Sequence, residues 1–118
     1  MMILSGAPDT YTANACAQVA STSNAWVQVI APGANAAGIY VSHVFCLFGA
    51  QSAQYRAHTA LPASDADGVG FAHAGGTSTS TGAVDPNCKR ADVGAIIPAG
   101  QGLYCKSDQW SSIFYRVL

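Results

Sequence analysis

The residues best suited to chemistry lie in one Gly- and Asp-rich segment. Ser64, Asp65 and Asp67 stand within four positions of one another, and His73 follows six residues after Asp67. Serine, histidine and carboxylate are the components of a hydrolytic triad, and closely spaced aspartates can contribute oxygens to a Ca²⁺ site. The sequence has no GxSxG nucleophile motif, no glutamate for paired-carboxylate catalysis and no recognisable Ca²⁺-binding loop. We therefore interpret the two aspartates as solvated turn residues, and we expect neither enzymatic activity nor a metal or other cofactor.

The four cysteines do not have the spacing of a metal site. Cys16, Cys46, Cys88 and Cys105 form no CxxC pair. His43 precedes Cys46 by three positions, so the two side chains point to opposite faces of an alternating strand. Cys46 and Cys105 lie in apolar strand patterns, where a free cysteine behaves as a small hydrophobe. One disulfide is an open alternative, but the absence of an export signal favours reduced thiols.

Large aromatic side chains provide the candidate binding residues. Trp26, Trp110 and Tyr115 could act as platforms for sugar rings, but such residues also anchor protein–protein interfaces. Arg116 is the only charged residue of the final apolar segment, and we expect it to pair with an aspartate or a carbonyl group at a subunit boundary. We prefer the interface interpretation for Trp110, Tyr115, Arg116 and Trp26.

The low charge of the chain favours burial against neighbours. Charged residues make up 9% of the 118 residues and the net charge is −1, whereas ordinary soluble domains contain roughly 25% charged residues. A surface with so little charge is typical of a subunit whose faces are covered in an assembly. The pair Lys89-Arg90 is flanked by Asp85 and Asp92, so no basic patch indicates nucleic-acid binding. The longest apolar stretch, 38–50, contains Ser42 and is too short to span a membrane, so we expect no membrane partner.

Short alternating segments predict a protein built from strands. Strand patterns cover residues 25–30, 38–50, 91–97, 101–107 and 112–118, and they are separated by Gly- and Pro-rich turns. Residues 51–59 could form a helix or a strand, and the lack of Glu and Lys favours the strand. Residues 1–118 are expected to form a single β-sandwich domain. Within it, residues 61–87 form a long Gly/Ser/Thr-rich loop that either reaches a neighbour as an arm or crosses between the two sheets.

The segment 38–50 is expected to be a central strand, because both of its alternating sets are apolar. One face would then lie against the second sheet and the other against another subunit. The first set contains Ile39, Val41, His43, Phe45 and Leu47, and the second contains Tyr40, Ser42, Val44, Cys46 and Phe48.

Two Pro- and Gly-containing corners resemble each other and lead to a family resemblance. IAPGANAAGIYV and IIPAGQGLYCKS share an apolar-Pro-Gly-Gly-apolar-Tyr order. The longer motif IIPAGQGLYCKSDQWSSIFYRVL resembles the C-terminal segment of small virion proteins of tailed bacteriophages, which carry an I-P-A-G-x-G-L-Y corner and a final strand ending in Y-R-V or a similar triplet. Head decoration (cement) proteins of this size are commonly jelly-roll-like β-sandwiches that assemble as trimers.

The resemblance implies an all-β, antiparallel, jelly-roll-like sandwich that forms a homotrimer. It also implies a structural role: capsid decoration, in which the protein bridges subunits of the major capsid protein and stabilises the head. The expected location is the capsid surface of the virion, after synthesis in the host cytoplasm. The alternative is a tail- or head-fibre module that binds a host receptor or glycan. The resemblance assigns no role to any individual residue.

Overall fold

The chain forms strands and one short 3₁₀ turn throughout its described part. The computed structural model describes residues 5–6, 12–20, 25–46, 53–74, 89–107 and 110–118, and these ranges contain no α-helix. No helix in them is long and apolar enough to cross a membrane. The strands are β1 (Ser5–Gly6), β2 (Ala15–Val19), β3 (Val27–Ile30), β4 (Ile39–Cys46), β5 (Ala53–His58), β6 (Val69–Ala74), β7 (Lys89–Ile97), β8 (Gly102–Ser107) and β9 (Ser111–Val117).

The strands form two antiparallel sheets. Sheet A has the order β1-β7-β4-β9-β2, and sheet B has the order β3-β8-β5-β6. From β2 onward the chain changes sheet at every connection except the one between β5 and β6. This arrangement confirms the prediction of an all-β, sandwich-like architecture.

The core lies between the two sheets and contains apolar residues from both. Strand β5 shows the cause most plainly, since Ala53, Tyr55 and Ala57 are buried and alternate with partly exposed polar residues. Alternation directs every second side chain to one face of a strand, so a polar–apolar repeat buries one face only. The buried cluster contains Ile39, Val41, Val44, Cys46, Ala53, Tyr55, Ala57, Ile97, Leu103, Cys105 and Ile113.

Strand β4 is central in sheet A, between β7 and β9, but its predicted faces are wrong. Ile39 and Val41 belong to the core as expected, whereas the next core residues are Val44 and Cys46. The pairing register shifts between Val41 and His43 on both neighbouring strands. A β-bulge inserts one residue and so reverses which alternate set faces inward. His43 and Phe45 therefore leave the core face, and Leu47 and Phe48 lie outside the described residues.

Asn35 joins the two corners that the sequence shows to be similar. Its Nδ2 donates to the carbonyl oxygens of Pro98 at 2.8 Å and Gln101 at 2.9 Å, and its Oδ1 accepts from the Gly38 N–H at 2.7 Å. The Gly100 N–H also donates to the backbone carbonyl of Asn35 at 2.8 Å. The side chain is 1% exposed, so these bonds satisfy groups that water does not reach.

Most predicted strands are present, and one lies inside the predicted loop. The ambiguous segment 51–59 contains β5, as the strand interpretation required. Within 61–87, residues Val69–Ala74 form β6, while residues 75–88 lie outside the described ranges. Residues 59–68 connect β5 to β6 and carry the two aspartates that the sequence had suggested as turn residues.

Candidate assembly interface on the outer face of sheet A

Three aromatic rings form a contiguous cluster on the outer side of sheet A. His43 stacks on Phe114 with the ring centroids 4.4 Å apart and the planes inclined by 15°. Phe45 contacts both rings edge-on, with centroid distances of 5.4 Å to His43 and 5.9 Å to Phe114. We call His43, Phe45 and Phe114 the aromatic face. All three are partly exposed in the isolated chain.

Strand pairing and the bulge together create the aromatic face. His43 is directly opposite Phe114 in the β4–β9 register, and Phe45 lies two residues further along β4. Without the bulge, His43 and Phe45 would share a face with Ile39 and Val41, which lie in the core. The inserted residue therefore moves two aromatic side chains to the outside of the sandwich.

The electrostatics of the aromatic face are close to neutral. Burial and the nearby positive charge of Arg90 lower the pKa of His43, against an opposing contribution from Asp92. The neutral form of the imidazole is consequently favoured. Arg90 donates to Asp92 at 2.8 Å, and its guanidinium lies 5.7 Å from the centroid of Phe45. The guanidinium beside Phe45 is thus paired with a carboxylate rather than left as an isolated charge.

Strand β2 gives the aromatic face an open border. It is the last strand of sheet A on this side, and among the described strands it pairs only with β9. Its sequence, ACAQV, contains no charged residue and no proline, the residues that usually protect edge strands from pairing with another chain. A groove of about 380 Å³ runs along this border and is lined by Ala13, Asn14, Ala15, Cys16 and Phe114. The aromatic face and the strand edge therefore form one continuous surface.

The outer side of sheet B has a different chemistry. Lys106 donates to Asp65 at 2.6 Å, and the Trp26 indole donates to the same carboxylate at 3.2 Å. His58 and Asp67 lie 3.1 Å apart. These contacts attach the segment 59–68 to sheet B through polar groups. Of the two outer sides, the one on sheet A is therefore the better surface for an apolar interface.

The four predicted interface residues do not lie together. Trp110 precedes β9 and is 50% exposed. Tyr115 packs against the core from β9, opposite Ala15 of β2. Arg116 is paired in register with Tyr40 of β4. Trp26 lies before β3 in the other sheet. The residues that the sequence reasoning missed are Phe45 and Phe114. The apolar character of both sets in 38–50 was a signal for Phe45, and no comparable pattern marked Phe114 in the final strand.

The residues first suggested for catalysis or metal binding have structural contacts. A backbone hydrogen bond from Ala63 is the main cause of the lowered pKa of Asp67, and the Lys106 hydrogen bond is the main cause for Asp65. The described ranges contain no group of three or more His, Cys, Asp or Glu side chains placed to hold a metal ion. His73 lies in β6, where it is paired with Gln54 of β5, but its side chain is outside the described part.

Cys46 and Cys105 are buried in the core, and we expect their thiols to resist modification in the folded protein. Cys105 is fully buried, and burial raises its pKa to about 12. At pH 8 iodoacetamide should therefore label the exposed Cys16 but neither core thiol, because both core thiols are shielded from the reagent and the raised pKa of Cys105 disfavours its reactive thiolate. In denaturant both should become labelled. Peptide mapping by mass spectrometry measures this, and a Cys46–Cys105 bridged peptide would contradict it.

Comparisons of the chain with models of known protein families, with curated proteins and with solved structures gave no match.

Proposed function

We propose that this chain is a structural subunit of a phage virion that decorates the capsid as a homotrimer and bridges neighbouring capsid subunits. The proposal that copies of the chain assemble is supported by one observation, the aromatic face beside the β2 edge. The virion assignment rests on the resemblance of residues 96–118 to small phage virion proteins, together with the low charge of the chain.

The strand order supports a jelly-roll assignment. In sheet A, β2-β9-β4-β7 are consecutive, and they face β3-β8-β5-β6 in sheet B. This is the arrangement expected when eight strands form two Greek keys, as in many capsid and lectin domains. Strand β1 is a ninth strand, which lies beside β7 at the edge of sheet A.

The aromatic face is suited to contact between copies of the chain. It combines rigid rings with a neutral imidazole, and depletion of unpaired charge is characteristic of interface centres. The β2 edge could add backbone hydrogen bonds across the same boundary. In a trimer these two features would be covered by neighbouring copies, and other surfaces would remain available for the capsid.

Decoration stabilises a shell by mass action. A ligand that binds only the assembled shell stabilises it by about 2.7 kcal/mol per site at a hundredfold excess over Kd. We therefore expect particles stripped of this protein to release their genome at a lower temperature than complete particles, and re-addition should restore the difference. Binding measured by co-sedimentation should persist in about 1 M salt, since apolar contacts are poorly screened.

The second candidate function is a fibre module that binds a receptor or glycan. The polar outer side of sheet B favours it, because Trp26, Lys106 and Asp65 are side chains of the kind that contact sugars. If stripped particles burst no more readily than complete ones, the cementing role is wrong and this second function takes its place. Quantitative mass spectrometry of virions separates the two as well, with hundreds of copies for decoration and few for a fibre.

A further inference from the structure

His43 is the titratable member of the aromatic face. Its ring stacks on Phe114 at a centroid distance of 4.4 Å and contacts Phe45 edge-on at 5.4 Å. All three rings are partly exposed in the isolated chain, so protons reach the imidazole from solvent. A group that gains and loses a proton therefore lies at the centre of the surface proposed for assembly.

The groups around His43 leave the charge of an added proton uncompensated. The titratable groups that the described residues place with it on the outer side of sheet A are Tyr40 of β4, Arg90 and Asp92 of β7, Arg116 of β9 and Cys16 of β2. Of the side-chain types on this surface, only imidazole ordinarily changes its charge between about pH 5 and 8. Asp92, the register partner of His43, already binds Arg90 at 2.8 Å. Protonation of His43 therefore adds a second positive charge beside a single carboxylate.

The isolated chain can accept this charge without unfolding. The Ser42 hydroxyl lies 2.9 Å from Nδ1 of His43, and a hydroxyl can donate to the neutral ring or accept from the charged one. The face of a phenyl ring attracts cations, so stacking on Phe114 also tolerates a charged imidazole. The cost of the charge should therefore appear only when a neighbouring copy covers the ring and excludes water.

We propose that proton binding at His43 regulates assembly: copies of the chain associate through the aromatic face while the imidazole is neutral and separate when it is charged. This inference rests on the proposed function, since it concerns the same interface, and it adds the condition under which that interface forms. Protonation of histidine at a packed surface is a general means of separating such surfaces in mildly acidic solution.

The direction of the pH dependence follows from the pKa of His43. Burial and then Arg90 lower this pKa in the isolated chain, against a raising contribution from Asp92, and a covering neighbour would lower it further. Association is consequently strongest above the pKa of the isolated chain and weakens as the pH falls through it. Every copy in the assembly contributes one such imidazole, so the effects on its dissociation constant multiply.

The test is sedimentation velocity of the full chain at about pH 8 and about pH 5, at equal ionic strength. We expect the dissociation constant of the assembly to be at least tenfold higher at the lower pH. His43→Phe keeps a ring on Phe114 but cannot titrate, so it should associate equally well at both. His43→Lys carries a permanent charge and should associate at least tenfold more weakly than the natural chain even at about pH 8. His58→Gln and His73→Gln remove the other histidines of the chain and should keep the natural pH dependence.

The outcomes separate this inference from the assembly proposal. Equal association of the natural chain at the two pH values overturns the role of His43 and leaves assembly standing, whereas a natural chain that is monomeric at both overturns the two together. The role of His43 is also overturned if the pH dependence persists in His43→Phe or disappears in His58→Gln or His73→Gln. The far-ultraviolet spectrum of the natural chain should be the same at both pH values, and loss of its β signal at about pH 5 would mean that separation follows unfolding, which contradicts the inference.

Discussion

Replacing Asn35 with Asp is expected to lower the free energy of unfolding by about 3–5 kcal/mol. The substitution preserves shape, so no cavity forms. It replaces the amide that donates to the carbonyls of Pro98 and Gln101 with a carboxylate that can donate to neither. A negative charge would then face two carbonyl oxygens at a position that is 1% exposed. Denaturant unfolding followed by tryptophan fluorescence measures the loss.

A matched control is Asn14→Asp, which makes the same chemical change at an exposed position. We expect it to alter the free energy of unfolding by less than about 0.5 kcal/mol. Asn35→Ala should also be strongly destabilising, because it removes the side-chain partners of the Gly38 N–H and the Gln101 carbonyl and one of the two donors to the Pro98 carbonyl. An Asn35→Asp protein as stable as the Asn14→Asp protein would show that the two corners are held together by other contacts.

Replacing Phe114 with Asp is expected to weaken self-association at least a hundredfold, or about 3 kcal/mol for each interface. Phe114 contacts both other rings of the aromatic face, so a carboxylate there would place an unpaired charge at the centre of the interface. Sedimentation velocity should show a smaller species than the natural chain at equal concentration. The far-ultraviolet spectrum should remain that of a β protein, since Phe114 is on the outside of sheet A.

Gln28→Asp is the control for Phe114→Asp, since it adds the same charge at an exposed position in sheet B. It should leave association unchanged.

Trp110→Ala distinguishes an interface anchored by Trp110 from one centred on the aromatic face. Trp110 was the exposed anchor expected from the sequence, but it lies before β9 rather than among the three rings, so we expect its loss to weaken association less than Phe114→Ala. The opposite order would move the interface away from the aromatic face.

The sandwich was predictable from sequence because short strand-forming segments are separated by Gly- and Pro-rich turns. The segments 101–107 and 112–118 contain strands β8 and β9 of the structure. The central position of β4 followed from its two apolar sets. Strand β2 escaped prediction because ACAQV has too little apolar bulk to stand out from the surrounding polar residues.

The candidate interface was less predictable, for a specific physical reason. A β-bulge is a local backbone event, and no Gly or Pro of β4 itself marks the one between Val41 and His43; the glycine at this point, Gly94 with a φ of 59°, belongs to the paired strand β7. Strict alternation therefore assigned His43 and Phe45 to the same side as Ile39. The contact between His43 and Phe114 depends on pairing between residues 71 positions apart in the chain, which periodicity does not reveal. The hydrogen bonds of Asn35 were unpredictable for the same reason, because the two Pro- and Gly-containing corners meet only in the folded chain.

Sedimentation equilibrium of the purified full chain tests the central claim, that copies of this protein associate through the aromatic face. Each chain has a mass of 12.1 kDa. We expect a species of about 36 kDa, the mass of a closed trimer, which persists in about 1 M salt and is lost in Phe114→Asp. A mass of 12.1 kDa at every concentration, for the natural chain and the variant alike, would contradict it.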